Sequence, residues 1–278
     1  MRASKPLPDG NRLLLSAICL LIAGISCGYR TDDDLSSAEP TVEVEAVDDD
    51  ARSDAGEPAF ACWDVPGDDA TSEFSSPRFP PEYYVDQSLR YFDTLDSYSD
   101  PRSIPNYSDL VARWEWPPWL LLTGFGDDAM IWIDLALRLY PTRVLERDCR
   151  AFDFQPFGRC RVVFEYNGEI SCPIYEEFTF NDLGEMTFIE AWSDLPGFMP
   201  TDDANDAWAE GPDAHRLSTK IPGLGNDTGR IDLSGECMGE AARADEDVAE
   251  FRKRARMPVA TWVLEFLRSP DGFEIGCP

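Results

Sequence analysis

The chain has 278 residues and a formal net charge of −29, set by 53 acidic against 24 basic side chains. So negative a protein repels polyphosphate and anionic headgroups, which argues against binding nucleic acid or lying flat on an anionic membrane. The single histidine, His215, argues against histidine-based triads and against metal sites with several histidines. We expect no metal centre and no cofactor.

Residues 1–26 have the layout of an export signal. Arg2, Lys5 and Arg12 precede an apolar run of about fourteen residues, shorter than the roughly 20 that span a bilayer core. The run ends at Gly24-Ile25-Ser26-Cys27-Gly28, which resembles a bacterial lipobox, although Gly24 stands where that pattern usually has leucine. The resemblance implies acylation of Cys27 and a protein anchored in the cell envelope, periplasmic or on the outer surface. Ordinary secretion and a retained anchor are the alternatives.

Residues 27–58 are predicted to form an acidic tether. The segment contains the triplets Asp32–Asp34 and Asp48–Asp50 and almost no large apolar side chains. Such a segment buries too little surface to offset the entropy of ordering, so we expect it to be disordered. Folded structure is expected from Ala59.

The first predicted helix covers residues 82–96 and follows Pro80-Pro81. Helical spacing places four apolar residues on one face, and we expect that face to be buried. These residues are Val85, Leu89, Phe92 and Leu95.

Two further helices are predicted before the strands. The second covers about 108–116, with Leu110, Val111 and Trp114 buried, and ends at Pro117-Pro118. The third begins after Asp127-Asp128, whose charges suit a helix N-terminus, and ends before Pro141. In this helix Asp134 and Arg138 are four residues apart, which favours a solvated ion pair.

Four strands are predicted after residue 146, at 147–154, 159–166, 172–180 and 185–192, separated by turn signals. The predicted fold class is α+β, with the three helices covering the aromatic face of a curved four-stranded antiparallel sheet, in a cone-like barrel over 59–193. Residues 194–234 are interpreted as an irregular linker, and 235–278 as a C-terminal helical extension.

The cysteines predict disulfide bonds in an oxidising compartment. Cys19 leaves with the signal, and if Cys27 is acylated, six remain, an even number that allows fifteen pairings. The connectivity of these six is open: Cys62, Cys149, Cys160, Cys172, Cys237 and Cys277.

The last hairpin carries the candidate catalytic pair. If residues 182–184 form a three-residue loop, Asn181 pairs with Glu185. Continuing this pairing residue by residue along both strands places Glu176 opposite Glu190. Two carboxyl groups facing each other on an aromatic face would share a proton and could transfer it. Three alternatives stay open: the pair lies in water at the open end of the sheet, Arg150 neutralises it, or the register differs.

The first hairpin supplies candidate ligand-binding residues. The same loop logic pairs Gln155 with Arg159 and Phe152 with Val162, so that Arg150 shares a face with the aromatic side chains. The candidates for binding a ligand in the cone are Arg150, Phe152, Phe164, Phe178, Phe188 and Trp192.

Residues of about 80–193, with the closing hairpin YEEFTFNDLGEMTFIEAWSD at Tyr175–Asp194, resemble the nuclear-transport-factor-2-like superfamily. This superfamily includes SnoaL-type polyketide cyclases and ketosteroid isomerase. The resemblance implies a cone-shaped α+β barrel around an apolar pocket, in which enzymes use an Asp or His base with Tyr or acid donors. His215 lies outside the block and no aspartate matches a family motif, so the resemblance places no base here.

Three functions are compatible with these observations. The first is a membrane-tethered lipoprotein that binds a small apolar or aromatic molecule in the cone. The second is a structural or interaction lipoprotein whose cone is filled by its own aromatic side chains and which forms a homodimer through the sheet. The third is an isomerase, cyclase or dehydratase that uses Glu176 and Glu190.

Overall fold

A computed structural model describes residues 76–119, 121–123, 126–138, 142–166, 170–195, 216–221 and 235–255, with 168, 197–199, 201, 203, 205, 206, 208, 210 and 277. All of them belong to one compact unit, Cys62–Pro278. The signal, Cys27, the tether and Cys62 lie outside the described residues. The helices are α1 (Pro81–Leu95), α2 (Asp127–Leu137), α3 (Leu217–Lys220), α4 (Glu236–Ala244) and α5 (Glu246–Ala255). The strands are β1 (Tyr107–Glu115), β2 (Leu121–Thr123), β3 (Thr142–Ala151), β4 (Gly158–Tyr166), β5 (Ile170–Phe180) and β6 (Met186–Ser193).

The α+β class is confirmed, and the sheet is larger than predicted. The four predicted strands are present as β3 to β6 and pair antiparallel in sequence. β1 extends the sheet by pairing parallel to β6, and β2 pairs antiparallel to β1, so the order is β2-β1-β6-β5-β4-β3. The result is a mixed six-stranded sheet, curled into a half-barrel.

The predicted helix at 108–116 is wrong, because this segment is β1. Its apolar residues Val111 and Trp114 are fully buried, as predicted, but on opposite faces of the sheet. A segment buried on both faces has no clear period of two, and a short apolar run of this kind reads equally well as a buried helix. Pairing with β6 on one side and β2 on the other decides its conformation.

Helix α1 matches the predicted bounds, although its buried face is rotated. Tyr84 and Tyr91 are buried, while Val85 and Leu89 are only partly covered. The tyrosine rings contact strand rings directly: their centroids lie 5.0 Å from Phe180 for Tyr84 and 5.1 Å from Phe178 for Tyr91. Aromatic side chains at helical spacing therefore form the interior between α1 and the sheet.

The opposite face of the sheet, here called the outer face, is also covered. Leu217 and Ile221 of the α3 segment and Phe251 of α5 are fully buried against Trp114 and Trp192. The predicted helical patterning after residue 235 is thus present as α4 and α5. Within the described residues, every helix is too short or too polar to cross a bilayer.

The register of the β5–β6 hairpin agrees with the prediction only next to its loop. The Asn181 amide donates to the Glu185 carbonyl at 3.0 Å, and Phe180 pairs with Met186, both as predicted. Thr179 then pairs with Phe188, so Thr187 is the extra residue of a β-bulge, and its hydroxyl donates to the Thr179 carbonyl.

Beyond the bulge, every β6 side chain lies on the face of the sheet opposite to the predicted one. Glu177, not Glu176, stands opposite Glu190, and Glu176 stands opposite Ala191. The predicted pairing of Glu176 with Glu190 is therefore wrong. One inserted residue shifts the pairing by one position, and side chains alternate between the two faces of a sheet every residue.

The register predicted for the first hairpin, with Gln155 opposite Arg159 and Phe152 opposite Val162, is also wrong. Ala151 pairs with Gly158 and Arg150 pairs with Arg159, so the loop spans 152–157 rather than three residues. The Phe152 amide donates to the Phe157 carbonyl at 2.8 Å and closes this loop.

Two disulfide bonds lie in the described residues. Cys149–Cys160 joins directly paired positions of β3 and β4, and Cys172–Cys277 ties the chain end to β5. Bonds of this kind form in oxidising compartments, which agrees with export.

Candidate functional site

A buried polar cluster lies between the helices and the sheet. We define the helix-side cluster as seven side chains contributed by α1, β1, α2 and β5. They are Tyr91, Thr94, Tyr107, Arg113, Glu115, Asp134 and Glu176.

Arg113 on β1 is the centre of this cluster and is 3% exposed. Its Nη1 donates to the Tyr91 hydroxyl and to Asp134 Oδ1, both at 2.9 Å. Its Nε lies 3.4 Å from Glu115 Oε1 and makes no hydrogen bond. Arg113 therefore joins α1 and α2 to the sheet while keeping one buried donor unsatisfied.

Asp134 on α2 is fully buried, so the predicted solvated pair with Arg138 is wrong. Its Oδ2 accepts hydrogen bonds from Thr94 Oγ1 and the Tyr107 hydroxyl, in addition to the bond from Arg113. Arg138 instead donates to the backbone carbonyl groups of Asp93, in α1, and Ser99, after it. Burial raises the pKa of Asp134, while Arg113 lowers it.

Glu176 is the least satisfied member of the cluster. Its Oε2 is buried and has no hydrogen-bond partner. Burial raises the pKa of Glu176 to about 8, against the lowering influence of Arg113 and of a hydrogen bond from Tyr91. Near neutral pH Glu176 is therefore mainly a neutral carboxylic acid, which can donate a hydrogen bond.

The cluster holds one arginine and three carboxyl groups, and this imbalance decides its chemistry. Burial also raises the pKa of Glu115, and the pKa of Tyr91 lies well above its ordinary value. Neutral Tyr91 donates its one hydroxyl proton to Glu176, and protonated Glu176 is in turn a donor beside a cation in apolar surroundings. Such an arrangement stabilises partial negative charge on an oxygen atom.

The second cluster lies on the outer face, where Glu177 and Glu190 are directly paired. Arg216 donates two hydrogen bonds of 2.6 Å to Glu177, one from Nε and one from Nη2. Arg159 Nε lies 3.4 Å from Glu177 Oε1. We call Arg159, Glu177, Glu190 and Arg216 the outer-face cluster.

Glu190 anchors the α3 segment to the sheet. Its carboxylate accepts hydrogen bonds from Trp116 Nε1 at 3.1 Å, the Leu217 amide at 2.7 Å, and the amide and hydroxyl of Ser218 at 3.2 and 2.8 Å. Burial raises the pKa of Glu190, and the Ser218 and Leu217 donors lower it. Four donors occupy this carboxylate, which makes it a structural support.

The structure separates the predicted site residues. Glu176 lies on the helix side and Glu190 on the outer face, so they share no proton. Phe164 and Phe178 belong to the helix-side core, whereas Phe188 and Trp192 belong to the outer-face core.

Arg150 and Phe152 lie at the far end of β3, where Arg150 pairs with Asp148 and stacks on Trp208 at 4.1 Å. Neither neutralises Glu176. The ligand-binding role of the predicted residues stays a prediction, and the structure places them around two different cores.

Sequence reasoning missed Tyr91, Arg113 and Asp134. Assigning 108–116 to a helix hid Arg113, because an arginine is rarely fully buried unless it is paired, and the helix gave it no partner. The usable signal was a pair of charges, Arg113 and Glu115, two residues apart in the otherwise apolar run 110–116. Within the described ranges, no three His, Cys, Asp or Glu side chains converge on a metal-sized site.

Comparison with protein-family models gives no match for this chain, and comparison with curated protein sequences gives none either. The site is therefore interpreted from its own geometry.

Proposed function

We propose that this protein is an exported, membrane-tethered binding protein. Its helix-backed domain takes up a small apolar or aromatic molecule whose single acceptor oxygen is received by Glu176. The observation that carries the proposal is the Glu176 Oε2 atom, buried and without a partner, beside the hydroxyl of Tyr91. A buried donor without an acceptor is costly, and an acceptor oxygen on a ligand removes that cost.

The surroundings of Glu176 favour an apolar ligand body. Phe178, Ile174 and Ala191 are buried on the same face, and Tyr91 stacks edge-on to Phe178. An apolar molecule gains from these contacts, while Glu176, held by the Tyr91 hydroxyl, orients its oxygen, the usual arrangement in ligand sites.

The proposed relationship to the nuclear-transport-factor-2-like superfamily has the same basis. A curled sheet backed by helices supports a cone, and a tyrosine with a protonated acid supports the donor half of the family's enzyme sites. Asp134, the aspartate of this cluster, is occupied by Arg113, Thr94 and Tyr107. We therefore propose binding rather than turnover.

Anchoring through Cys27 completes the proposal. The two disulfides support passage through an oxidising compartment. A protein with a net charge of −29 needs a covalent lipid to stay at an anionic membrane.

One observation favours the interaction-protein alternative. Ring centroids of α1 and the strands lie 5.0 Å apart for Tyr84–Phe180 and 6.1 Å apart for Phe92–Phe164. Side chains thus fill this part of the interior, and a homodimer through the sheet stays a prediction of that alternative.

The test is native mass spectrometry and calorimetry on the mature, disulfide-bonded protein. Aromatic ketones (acetophenone, indanone, fluorenone) are compared with hydrocarbons of the same shape (ethylbenzene, indane, fluorene). We expect at least one ketone to bind at least tenfold more tightly than its hydrocarbon.

Matched variants locate the effect. Glu176→Leu should abolish the ketone preference, while Glu176→Gln, which keeps an N–H donor, should retain it. Glu165→Gln, a surface glutamate of β4, is the control. Equal binding of ketones and hydrocarbons, or no binding of either, contradicts the proposal and favours the filled interior.

A further inference from the structure

A row of directly paired residues crosses the outer face of the sheet. Arg150 of β3 stands opposite Arg159 of β4, and Arg159 stands opposite Glu177 of β5. Like charges directly opposite each other are destabilising unless an anion lies between or beside them. The charge of Arg159 therefore depends on which neighbouring carboxylates are available to it.

These carboxylates leave the outer edge of Arg159 unoccupied. Both oxygens of Glu177 accept hydrogen bonds from Arg216, and Asp148 is paired with Arg150. Glu177 approaches Arg159 only at Nε, at 3.4 Å. The Nε atom itself donates to the Pro156 carbonyl at 3.3 Å.

The remaining two nitrogen atoms of Arg159 are unsatisfied. The side chain is 1% exposed, and neither Nη1 nor Nη2 has a hydrogen-bond partner. The guanidinium carbon lies 4.0 Å from the ring centroid of Phe152 and 4.9 Å from that of Phe154. Rings over a guanidinium stabilise its charge through its face, but its N–H groups donate in its plane, so the rings do not replace an acceptor.

We propose that the Nη1–Nη2 edge of Arg159 binds the carboxylate of a small organic acid whose apolar body packs against Phe152 and Phe154. Two parallel N–H groups match the two oxygens of a carboxylate. Phe154 is half exposed, so the ligand reaches the guanidinium by displacing this ring.

The surroundings select a monoanion. Arg159 interacts electrostatically with three carboxylates, those of Glu177, Glu210 and Asp206. The whole chain is also strongly negative. A dianion such as phosphate meets about twice the repulsion of a monocarboxylate from these groups. This site lies on the opposite face of the sheet from Glu176 and is independent of the function proposed above.

The experiment uses the mature, disulfide-bonded protein labelled with ¹⁵N, with benzoate as the probe. Benzyl alcohol, which has the same ring without the charge, and inorganic phosphate are the comparison ligands. We expect benzoate to shift the Arg159 guanidinium N–H signals in a saturable way, with benzyl alcohol and phosphate at least tenfold weaker.

Variants assign the binding to this edge. Arg159→Lys keeps the charge but loses the paired donors, and we expect at least tenfold weaker benzoate binding. Arg161→Gln is the matched control, since Arg161 lies two residues along the same strand and face, and should change binding less than twofold. Phe154→Leu should weaken benzoate binding severalfold. Because Phe154 is half exposed, this variant tests the same site if Arg159→Lys does not fold.

Three results would overturn the proposal. They are no saturable shift with benzoate, binding of benzyl alcohol or phosphate as tight as that of benzoate, and an equal loss in the Arg161→Gln control.

Discussion

The two faces of the sheet bury the same kinds of side chain with different results. The outer-face cluster contains two arginines and two glutamates, and every carboxylate oxygen of Glu177 and Glu190 accepts a hydrogen bond. The helix-side cluster contains one arginine and three carboxyl groups, and Glu176 Oε2 accepts none. The balance of charge in a buried cluster thus decides whether its carboxyl groups are held by donors or one is left protonated and without a partner.

The physical reason is desolvation. A buried carboxylate is stabilised when a cation and its N–H donors replace water, as the two hydrogen bonds from Arg216 do for Glu177. Where donors are too few, the carboxyl group takes up a proton instead, as Glu176 does. Substitutions at four positions of the two clusters test this explanation, and the largest effect is expected at Arg216.

Removing Arg216 should produce the largest loss of stability. Arg216→Ala leaves Glu177 buried with Arg159 Nε 3.4 Å away but without its two hydrogen bonds, and breaking such a pair costs about 3–5 kcal/mol. Denaturant unfolding measures the change. Arg90→Ala removes a solvent-exposed i,i+4 pair with Asp86 and should cost no more than about 0.5 kcal/mol. Equal costs for the two variants would show that burial of the Glu177 pair contributes nothing.

Glu176→Gln should change the pH dependence of stability. Glu176 has an ordinary pKa of 4.5 and a folded pKa of about 8, so the folded state holds an extra proton between these values. The contribution of Glu176 is therefore complete below pH 4.5 and is lost as pH rises towards 8, by up to about 1.4 kcal/mol per pH unit.

The Gln variant cannot lose this proton, so its free energy of unfolding should lack that decline. Urea titrations of both proteins at several pH values measure it, with Glu165→Gln as the control. Parallel pH profiles for wild type and Glu176→Gln would mean that Glu176 is ionised in the folded protein.

Asp134→Asn should be destabilising, in contrast to Glu176→Gln on the same face. The amide loses the charge that faces Arg113 and turns a donor towards Arg113, Thr94 or Tyr107, at a cost of about 1.5–3 kcal/mol. Asp128→Asn, on the exposed start of α2, is the matched control. If Asp134→Asn is neutral in thermal and denaturant unfolding, Asp134 is already protonated.

Glu190→Gln should act mainly on the α3 segment. All four contacts of this carboxylate are donors, so the amide NH₂ group must face one of them, at a cost of about 1–3 kcal/mol. Hydrogen exchange should become faster at Leu217 and Ser218 and stay unchanged in β3. Unchanged exchange at these two amides would indicate that Leu217 and Ile221 hold the segment without Glu190.

Local patterns in the sequence predicted most of the elements. The bounds of α1 and α2, the four strands β3 to β6 and the pairing of Asn181 with Glu185 all depend on neighbouring residues, on turn glycines and on helix-terminal charges. Local information suffices there because turn and cap preferences act over a few residues.

The sites depended on information that local patterns lack. β1 was predicted as a helix, and its parallel pairing with β6 joins segments about 75 residues apart. That pairing places Arg113 against Asp134 and Glu176. The bulge at Thr187 lies beside an irregularity of β1 between Tyr107 and Ala112, where the Met186 amide donates to the Asn106 carbonyl.

The amino-acid sequence by itself determined the α+β class, the antiparallel strands and the abundance of buried aromatic residues. The tertiary structure alone decided which glutamate faces which cation, because a single bulged residue moves a side chain to the other side of a sheet. The face that each glutamate occupies decides its role. Glu190 holds the α3 segment, whereas Glu176 is a buried acid with a raised pKa and an Oε2 atom without a hydrogen-bond partner.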